Sequence, residues 1–454
     1  MSKKITIIGG GPAGYVAAIR AAQIGAKVAL VESANLGGVC TNVGCIPTKT
    51  YYHYAEIARE IQDSQKDKTI SGELSFDWLR ILRKKDGIVK RLVAGISFLL
   101  KKNEIDFHQG TGRIAGRGKV EILKPNGETA ELSCDEILVA TGSAPRGIPI
   151  DGWEGAGVWS NTEALSAEKI PESLLIVGGG VIGCEFAHIF STFGCKVTIV
   201  ELTESLLPGI DPDIVEIVTK TLAKQGVSIR TGVGIGRVER TAEGIIATAG
   251  EERFEAEEIL GAVGRKPTPP EGIELAGGKL ARGNLAIDEH LRAGDGLWGA
   301  GDVCGAPFLA HWASAMGEVA VENMMGAAIK LDYDAVPGAF FTAIEVGTVG
   351  LTEPEARARF GDILVGKFPY QASGRAKTAS AADGFSKVIA EKNGRIVGIH
   401  IAGKQASEMV CAAGLTVARK LTIDDWRETI VAHPTFGEIL KESALDGAGD
   451  AIHI

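Results

Sequence analysis

The sequence predicts an α/β chain in which one parallel-strand unit occurs twice and an α+β domain follows, and three observations carry that prediction. The first is a short apolar run, Ile5 to Ile8, leading into Gly9-x-Gly11-x-x-Gly14, an alanine-rich helical stretch from Tyr15 to Ile24, Gly25, and a second run from Lys27 to Val31 that ends at Glu32. The second is the return of this arrangement at a constant offset, as Leu174 to Val177, Gly178-x-Gly180-x-x-Gly183, Gly194, Lys196 to Val200 and Glu201. The third is a change near Pro337 to strand-like runs (Gly347 to Gly350, Ser386 to Ile389, Ile396 to Ile401) and amphipathic helical spacing from Glu408 to Leu421.

Strand, glycine turn, helix, strand and acidic residue in that order form a Rossmann-like unit. Gly9, Gly11 and Gly14 let the backbone approach a pyrophosphate at a helix N-terminus, where free N–H groups and the helix dipole favour an anion, and Glu32 can accept hydrogen bonds from a ribose. Gly178, Gly180, Gly183 and Glu201 repeat those roles, so two copies imply two dinucleotides. Glu136-Ile-Leu-Val-Ala-Thr-Gly-Ser-Ala-Pro and Glu258-Ile-Leu-Gly-Ala-Val-Gly-Arg-Lys-Pro read as equivalent closing strands, each ending in a glycine turn. The first copy is interrupted after Glu32 by a cysteine-bearing segment and by a helical stretch, roughly Thr48 to Lys102, that reads as scaffold. The second copy has no comparable insertion. Leu297-Trp-Gly-Ala-Gly-Asp302-Val303 is an apolar strand running to an acidic residue, which by itself is equally readable as a helix cap.

A chain of 454 residues, 45% apolar and with 60 glycines, calls for three or four domains rich in tight turns. A formal charge of −9 argues against a nucleic-acid or anionic-membrane partner. The N-terminal apolar run is too short for a signal peptide, and no stretch approaches the ~18 apolar residues of a membrane span. Seven cysteines, five of them (Cys134, Cys184, Cys195, Cys304, Cys411) lying singly in apolar segments, suit buried thiols in a reducing cytoplasm better than a secreted disulfide framework.

The remaining two, Cys40 and Cys45, lie in Gly37-Gly-Val-Cys-Thr-Asn-Val-Gly-Cys-Ile-Pro-Thr-Lys49. In a straight helix their Cα atoms would be roughly 8.7 Å apart, beyond the ~4.4–6.8 Å of a disulfide. A bonded pair therefore needs a distorted turn, and Gly44 with Pro47 permits one. Two buried structural cysteines, or half of a metal site, are the alternatives; the absence of a second Cys/His cluster in the sequence weighs against metal.

This segment resembles the redox-active stretch of the pyridine nucleotide disulfide oxidoreductases (class I), and the resemblance covers nearly the whole chain. It implies a Cys40–Cys45 redox disulfide, with Cys40 exchanging with substrate and Cys45 facing the flavin. It implies FAD on the first unit and a nicotinamide nucleotide on the second, where Glu201 with no following arginine favours NAD over NADP. Asp302 would meet the ribityl chain of FAD, Lys49 and Glu185 would pair beside the flavin, and further cofactor contacts are implied at Gly38, Thr41, Gly112, Thr141, Gly142, Ser143, Val233, Gly264, Leu309, Ala310 and His311. Ala432-His433-Pro-Thr-Phe-Gly-Glu438 would supply a catalytic base, His433, oriented by Glu438.

The implied domains are 1–145 (FAD-binding, with the redox segment 37–49), 146–267 (NAD-binding), 268–336 (central, completing the FAD site) and 337–454 (interface and dimerisation). Within the family the resemblance runs to the dihydrolipoamide dehydrogenases, through Gly14-Tyr-Val-Ala-Ala-Ile-Arg-Ala-Ala-Gln23, Glu201 and Ala372-Ser-Gly-Arg-Ala376. That implies oxidation of dihydrolipoyl groups on a carrier protein of a 2-oxo acid dehydrogenase or glycine cleavage complex, by a cytoplasmic homodimer with shared active sites. Three positions depart from the pattern: Trp312 and Met316 stand where relatives commonly carry a lysine and an acidic residue, and Val431 replaces a histidine. Other readings are a reductase of another low-molecular-weight disulfide and a non-catalytic flavoprotein subunit.

Overall fold

In the computed structural model, which describes residues 2–454, the N-terminal apolar run is β1 (Lys4–Ile8), followed by α1 (Pro12–Gln23) and β2 (Lys27–Glu32). β1 and β2 pair in parallel, as a crossover through one helix requires. Helix α1 begins three residues before the expected Tyr15, because Pro12 at the first helical position has a φ already suited to the helix and lacks only an N–H that would have no partner there. The stretch expected to be helical from Thr48 to Lys102 is divided. Helix α2 (Gly38–Val43) and α3 (Cys45–Lys66) meet at Gly44, and α4 (Trp78–Lys102) starts afresh where the Asp77 carboxylate accepts from the Arg80 N–H at 2.9 Å. β3 (Asp106–Gln109) then joins β2; β4 (Thr111–Gly116), β5 (Lys119–Leu123) and β6 (Thr129–Ser133) form an antiparallel trio; β7 (Glu136–Val139) returns beside β1, and β8 (Ser143–Pro145) leaves the unit.

The second unit repeats this plan. After α5 (Asn161–Ser166) come β9 (Ser173–Val177), α6 (Val181–Thr192), β10 (Lys196–Val200), α7 (Pro212–Lys224) and β11 (Ser228–Arg230). An antiparallel trio follows, β12 (Arg237–Arg240), β13 (Ile245–Ala249) and β14 (Glu252–Ala256), and β15 (Glu258–Gly261) closes the sheet beside β9. The two stretches read as closing strands are thus β7 and β15, each parallel to the first strand of its unit. β16 (Arg265–Pro267) pairs antiparallel with β8 and ties the two exits together.

Residues 268–336 form a small hairpin, β17 (Leu280–Ala281) with β18 (Asn284–Leu285), then β19 (Arg292–Gly294), β20 (Leu297–Gly299) and α8 (Ala310–Met324). β20 enters the first sheet beside β7, giving the order β19-β20-β7-β1-β2-β3. Helix α8 lies on α1 closely enough that a Cβ on Gly317 would sit 2.4 Å from the Ala13 carbonyl oxygen. Trp312 and Met316 face this core: both are buried, Trp312 packs on Tyr333, and the Met316 sulfur accepts from the Gly301 N–H at 3.4 Å. Apolar side chains at these two positions therefore fill the space between α8 and the first sheet.

The last domain is an antiparallel sheet, β21-β22-β25-β24-β23, made of β21 (Gly338–Phe341), β22 (Glu345–Gly350), β23 (Ile363–Pro369), β24 (Phe385–Glu391) and β25 (Ile396–Ala402). Helices α9 (Glu353–Phe360), α10 (Gly374–Thr378), α11 (Ala406–Ala418), α12 (Ile423–Glu428) and α13 (Glu438–Asp446) accompany it. Its core joins Ile399 and Ile401 of β25 to Val410 of α11 and Ile439 and Leu440 of α13. Among the described residues, no helix is long and apolar enough to cross a membrane.

Candidate active site: the cysteine pair and its two nucleotide cradles

The distortion that the cysteine spacing demands is the break between α2 and α3. A Cβ on Gly44 would lie 2.8 Å from the Val39 carbonyl oxygen and 3.2 Å from the Cys40 Cα, so only glycine lets the chain fold back this closely. Pro47 leaves the Val43 carbonyl without a helical donor, and the Asn161 side-chain amide supplies one from the second unit. The Thr48 N–H and hydroxyl both bond the Gly44 carbonyl, at 3.1 and 2.7 Å, and pin the start of α3.

In the thiol form, Cys40 and Cys45 are unequal. The Cys40 thiol donates to Cys45 and draws its pKa down to about 7; burial and Glu185 oppose this, and the Lys49 ammonium adds to it. Cys40 moves upward, its proton held by the bond to Cys45 and its charged form disfavoured by burial. Among the described residues, no group of three or more His, Cys, Asp or Glu side chains could hold a metal ion.

Lys49, one turn beyond Cys45, bonds both carboxylate oxygens of Glu185 on α6, at 2.7 and 2.8 Å. Glu185 is 5% exposed and also accepts from the Phe341 N–H at 3.0 Å, while the Lys49 ammonium sits 4.7 Å over the Phe341 ring. An exposed surface ion pair would contribute little. This pair is instead half-buried, joins α3, α6 and β21, and sets the charge beside Cys45.

Both glycine turns are close-packed cradles. A Cβ on Gly9 would lie 2.2 Å from the Ala140 oxygen and one on Gly14 1.7 Å from the Gly9 oxygen; the counterparts are Gly178 on Ala262 (2.4 Å) and Gly183 on Gly178 (2.1 Å). Gly11 and Gly180 cap α1 and α6 with extended backbones, without side-chain caps, and with no acidic residue in either first turn. The first N–H groups of both helices are thus free for an anion.

At the strand ends, Glu32 accepts from the N–H groups of Gly10 and Ala34, both at 2.6 Å. Glu201 accepts from Gly179 at 2.6 Å and Thr203 at 2.8 Å, so each carboxylate is fixed at the mouth of its cradle with lone pairs to spare. Gly38 sits so close to Gly11 that a Cβ would meet its Cα at 2.7 Å, and Gly112 packs on Ile8 and Val31. The buried Thr141 hydroxyl at the end of β7 has no partner among the described residues. Gly142 and Gly264 turn with positive φ after the closing strands, and the Val233 N–H is used by the Glu201 carbonyl at 3.0 Å. Thr41 is buried in α2; Leu309 and Ala310 start α8, and His311 Nε2 lies 2.6 Å from the Pro337 carbonyl oxygen. A free pair of helix N-termini, glycine cradles and an orphaned hydroxyl fit two dinucleotides.

Asp302 is not a helix cap. Its carboxylate accepts from the Ser143 hydroxyl at 2.5 Å, and burial raises its pKa against the opposing pull of that bond and of Arg265. Arg265, which the sequence shows only as part of the closing-strand motif, is a further functional candidate. It donates to the Ser143 hydroxyl (2.7 Å) and carbonyl (2.6 Å) and lies 3.9 Å from Asp302. The only sequence signal for it was its place in the glycine turn that mirrors Gly142-Ser143.

His433 and Glu438 meet as expected, with Nδ1 to Oε1 at 2.8 Å, and the second carboxylate oxygen accepts from the Thr435 N–H at 2.9 Å. Burial pushes Glu438 upward, but the bonds from His433 and Thr435 outweigh it and hold the carboxyl low. The histidine side chain is 77% exposed. It lies in the bend before α13; that helix, which begins with Glu438, packs on β23 and β24 of the last domain, whereas the cysteines lie in the first.

Residues 3–317 match the pyridine nucleotide-disulphide oxidoreductase family and residues 336–444 match its dimerisation domain. Dihydrolipoyl dehydrogenase of Bacillus subtilis (strain 168) is 36% identical over 457 residues, 99% of each chain. That of Thermus scotoductus is 38% identical over 462 residues, 99% of this chain and 98% of the relative. Among solved structures, LpdA from Mycobacterium tuberculosis aligns with a TM-score of 0.91 at 25% identity, covering 97% of this chain and 99% of that one. The HOCl-induced flavoprotein disulfide reductase RclA from Escherichia coli aligns with a TM-score of 0.87 at 28% identity, with the same coverage. With both family regions matched in order and full-length relatives above a third identical, the chain belongs to the pyridine nucleotide-disulphide oxidoreductase family.

Proposed function

We propose that this protein is a dihydrolipoyl dehydrogenase that oxidises dihydrolipoyl groups on a carrier protein and delivers the electrons to NAD. Its family uses FAD and NAD, and FAD, when bound, relays the electron pair between the dithiol and NAD. The observation that carries the reading is the cysteine pair brought together by the break at Gly44, with the Lys49 ammonium, bonded to Glu185 one turn beyond Cys45, adding to the bond from Cys40 that lowers that thiol.

In the disulfide form, a substrate thiolate attacks Cys40 and Cys45 leaves with the bond's electron pair. A leaving thiol of low pKa departs readily, so the Lys49 ammonium beside Cys45 favours this direction. The second substrate thiol then attacks the mixed disulfide, releasing the cyclic lipoyl disulfide and leaving Cys40 as a thiol. His433, oriented by Glu438, takes the proton of the first attacking thiol, and the proton of the second passes to the departing Cys40 sulfur. Glu201 holds NAD by its ribose and opposes a 2′-phosphate.

The dimerisation-domain match supports a homodimer. In our reading, His433 of one subunit serves the cysteines of the other, because the exposed dyad belongs to a different domain from the redox pair and a two-fold axis would generate two equal sites. The domain limits 1–145, 146–267, 268–336 and 337–454, a cytoplasmic location, and a carrier belonging to a 2-oxo acid dehydrogenase or glycine cleavage complex complete the proposal.

A second reading, reduction of another low-molecular-weight disulfide, draws on Val431 and on the neighbour named as a disulfide reductase. Turnover of the purified homodimer with NAD and dihydrolipoamide, against NADH with glutathione disulfide, separates the two. Faster dihydrolipoamide oxidation supports the proposal, and turnover only with the glutathione substrate contradicts it. Mixing a Cys40→Ser, Cys45→Ser chain with a His433→Ala chain should restore dihydrolipoamide oxidation in the heterodimer; heterodimers without activity would refute the shared site.

A further inference from the structure

Helix α4 is a cationic surface on an acidic protein. Eight basic and one acidic side chain give it a formal charge of +7, so the rest of the chain carries −16 of the total −9. One side of the helix, Trp78, Ile81, Ile96 and Leu100, is buried, and the helix packs on α1, α2 and α3. The opposite side holds Arg80, Lys84, Arg91, Phe98 and Lys102, whose spacings of four and seven residues align them on one ridge roughly 33 Å long. Arg83, Lys90 and Lys101 run alongside it, and all of these basic side chains are exposed. Among the described residues, the only ion pair on α4 is Lys85–Asp86, and that lysine is buried. Phe98, within the ridge, is 64% exposed.

A solvated charged face is the ordinary fate of such side chains. Two features set this one apart. Its sign opposes that of the surrounding protein, and its helix adjoins the redox segment: on the buried side of α4, Ile96 lies against Gly37, three residues before Cys40, so close that a Cβ on Gly37 would meet the Ile96 side chain at 2.9 Å. A membrane would need the apolar side of α4, which is already buried. A long polyanion would run off the ridge onto a surface of net negative charge. A compact acidic protein domain covers the ridge alone, pairs with its free cations and packs on Phe98.

We propose that this ridge of α4 docks the acidic face of the dihydrolipoyl-carrying domain and steers its dithiol to Cys40. The proposal rests on the dihydrolipoyl dehydrogenase reading and names the surface that receives the carrier.

The test compares the full-length FAD-loaded homodimer with its Arg80→Glu, Lys90→Glu, Arg91→Glu variant and, separately, with Phe98→Ser. The probes are a reduced lipoylated carrier domain with acidic residues around its lipoyl-lysine, the same domain with those residues changed to amides, and free dihydrolipoamide. For the acidic carrier, kcat/KM should fall at least about tenfold in the triple variant and lose most of its dependence on salt, the signature of electrostatic steering. Free dihydrolipoamide should be oxidised equally by all three proteins, and the amide-substituted carrier should respond weakly to the triple change. Phe98→Ser should raise KM for the acidic carrier alone.

An unchanged carrier-to-free ratio in the triple variant would overturn the proposal. So would an equal loss with free dihydrolipoamide, which would mean a damaged site. Binding to phosphatidylserine vesicles that the triple variant loses, with the carrier ratio unchanged, would assign the ridge to a membrane and overturn it likewise. Wild-type protein inert toward free dihydrolipoamide would refute the activity itself, and this proposal with it.

Discussion

At Cys45, the hydrogen bond from Cys40 and the charge of Lys49 lower the pKa while burial and Glu185 raise it, with a net value of about 7. An ordinary thiol titrates near ~8.5. Alkylation of Cys45 in the reduced protein should therefore rise through pH 7 and level off below the ordinary thiol range, since only the thiolate reacts. Lys49→Met removes a lowering influence and should move the midpoint upward; a wild-type midpoint at or above the ordinary range would contradict the asymmetry. The identity of these residues was legible in the sequence because the cysteine spacing, Gly44 and Pro47 are local signals. The Asn161 amide that bonds the Val43 carbonyl was not, since it comes from the second unit, and nothing near residue 161 announces a partner so distant in the chain.

Elements formed where their local chemistry was strong. The glycine turns and apolar strands of both units are readable to within a few residues, whereas α1 starts at Pro12, three residues before Tyr15, because a proline opens a helix as readily as it breaks one. The sequence reading joins α3 and α4 in one Thr48 to Lys102 stretch, although Asp77 before an amphipathic helix is a capping signal. The α2–α3 break supplies a test at this scale. Gly44→Ala places a methyl group 2.8 Å from the Val39 oxygen, so the two helices must separate. Overpacking of this kind typically costs ~1–3 kcal/mol, and calorimetry should record a lower Tm. Thiol titration should also show the Cys40–Cys45 disulfide reduced more easily than in wild type; an unchanged Tm and unchanged reducibility would mean that the break tolerates a side chain.

Across the whole molecule, the duplicated cradles are tied together by contacts that no local pattern encodes. β20 completes the first sheet from a segment more than 150 residues after β7, and Arg265 bridges the exits of both units. A buried cluster joins the second unit to the last domain: Lys387, 2% exposed, lies 2.5 Å from Asp211, 2.9 Å from Asp213 and 3.3 Å from Glu353. Lys387→Met would leave the fully buried Asp211 without its cation and should destabilise the protein by ~3–5 kcal/mol in denaturant unfolding. Lys387→Met with Asp211→Asn should recover part of that loss; equal stability of wild type and the single variant would show the cluster to be idle. Assembly of the whole site serves one claim, that electrons from a dithiol pass through Cys40 and Cys45. The direct measurement is differential alkylation of the oxidised holoenzyme before and after one equivalent of dihydrolipoamide without oxygen, mapped by mass spectrometry and followed by addition of NAD. Both cysteines should be protected before and labelled after, with NADH appearing and protection returning once NAD is supplied. Equal labelling before and after, or NADH formed at the wild-type rate by a Cys40→Ser, Cys45→Ser variant, would contradict the claim.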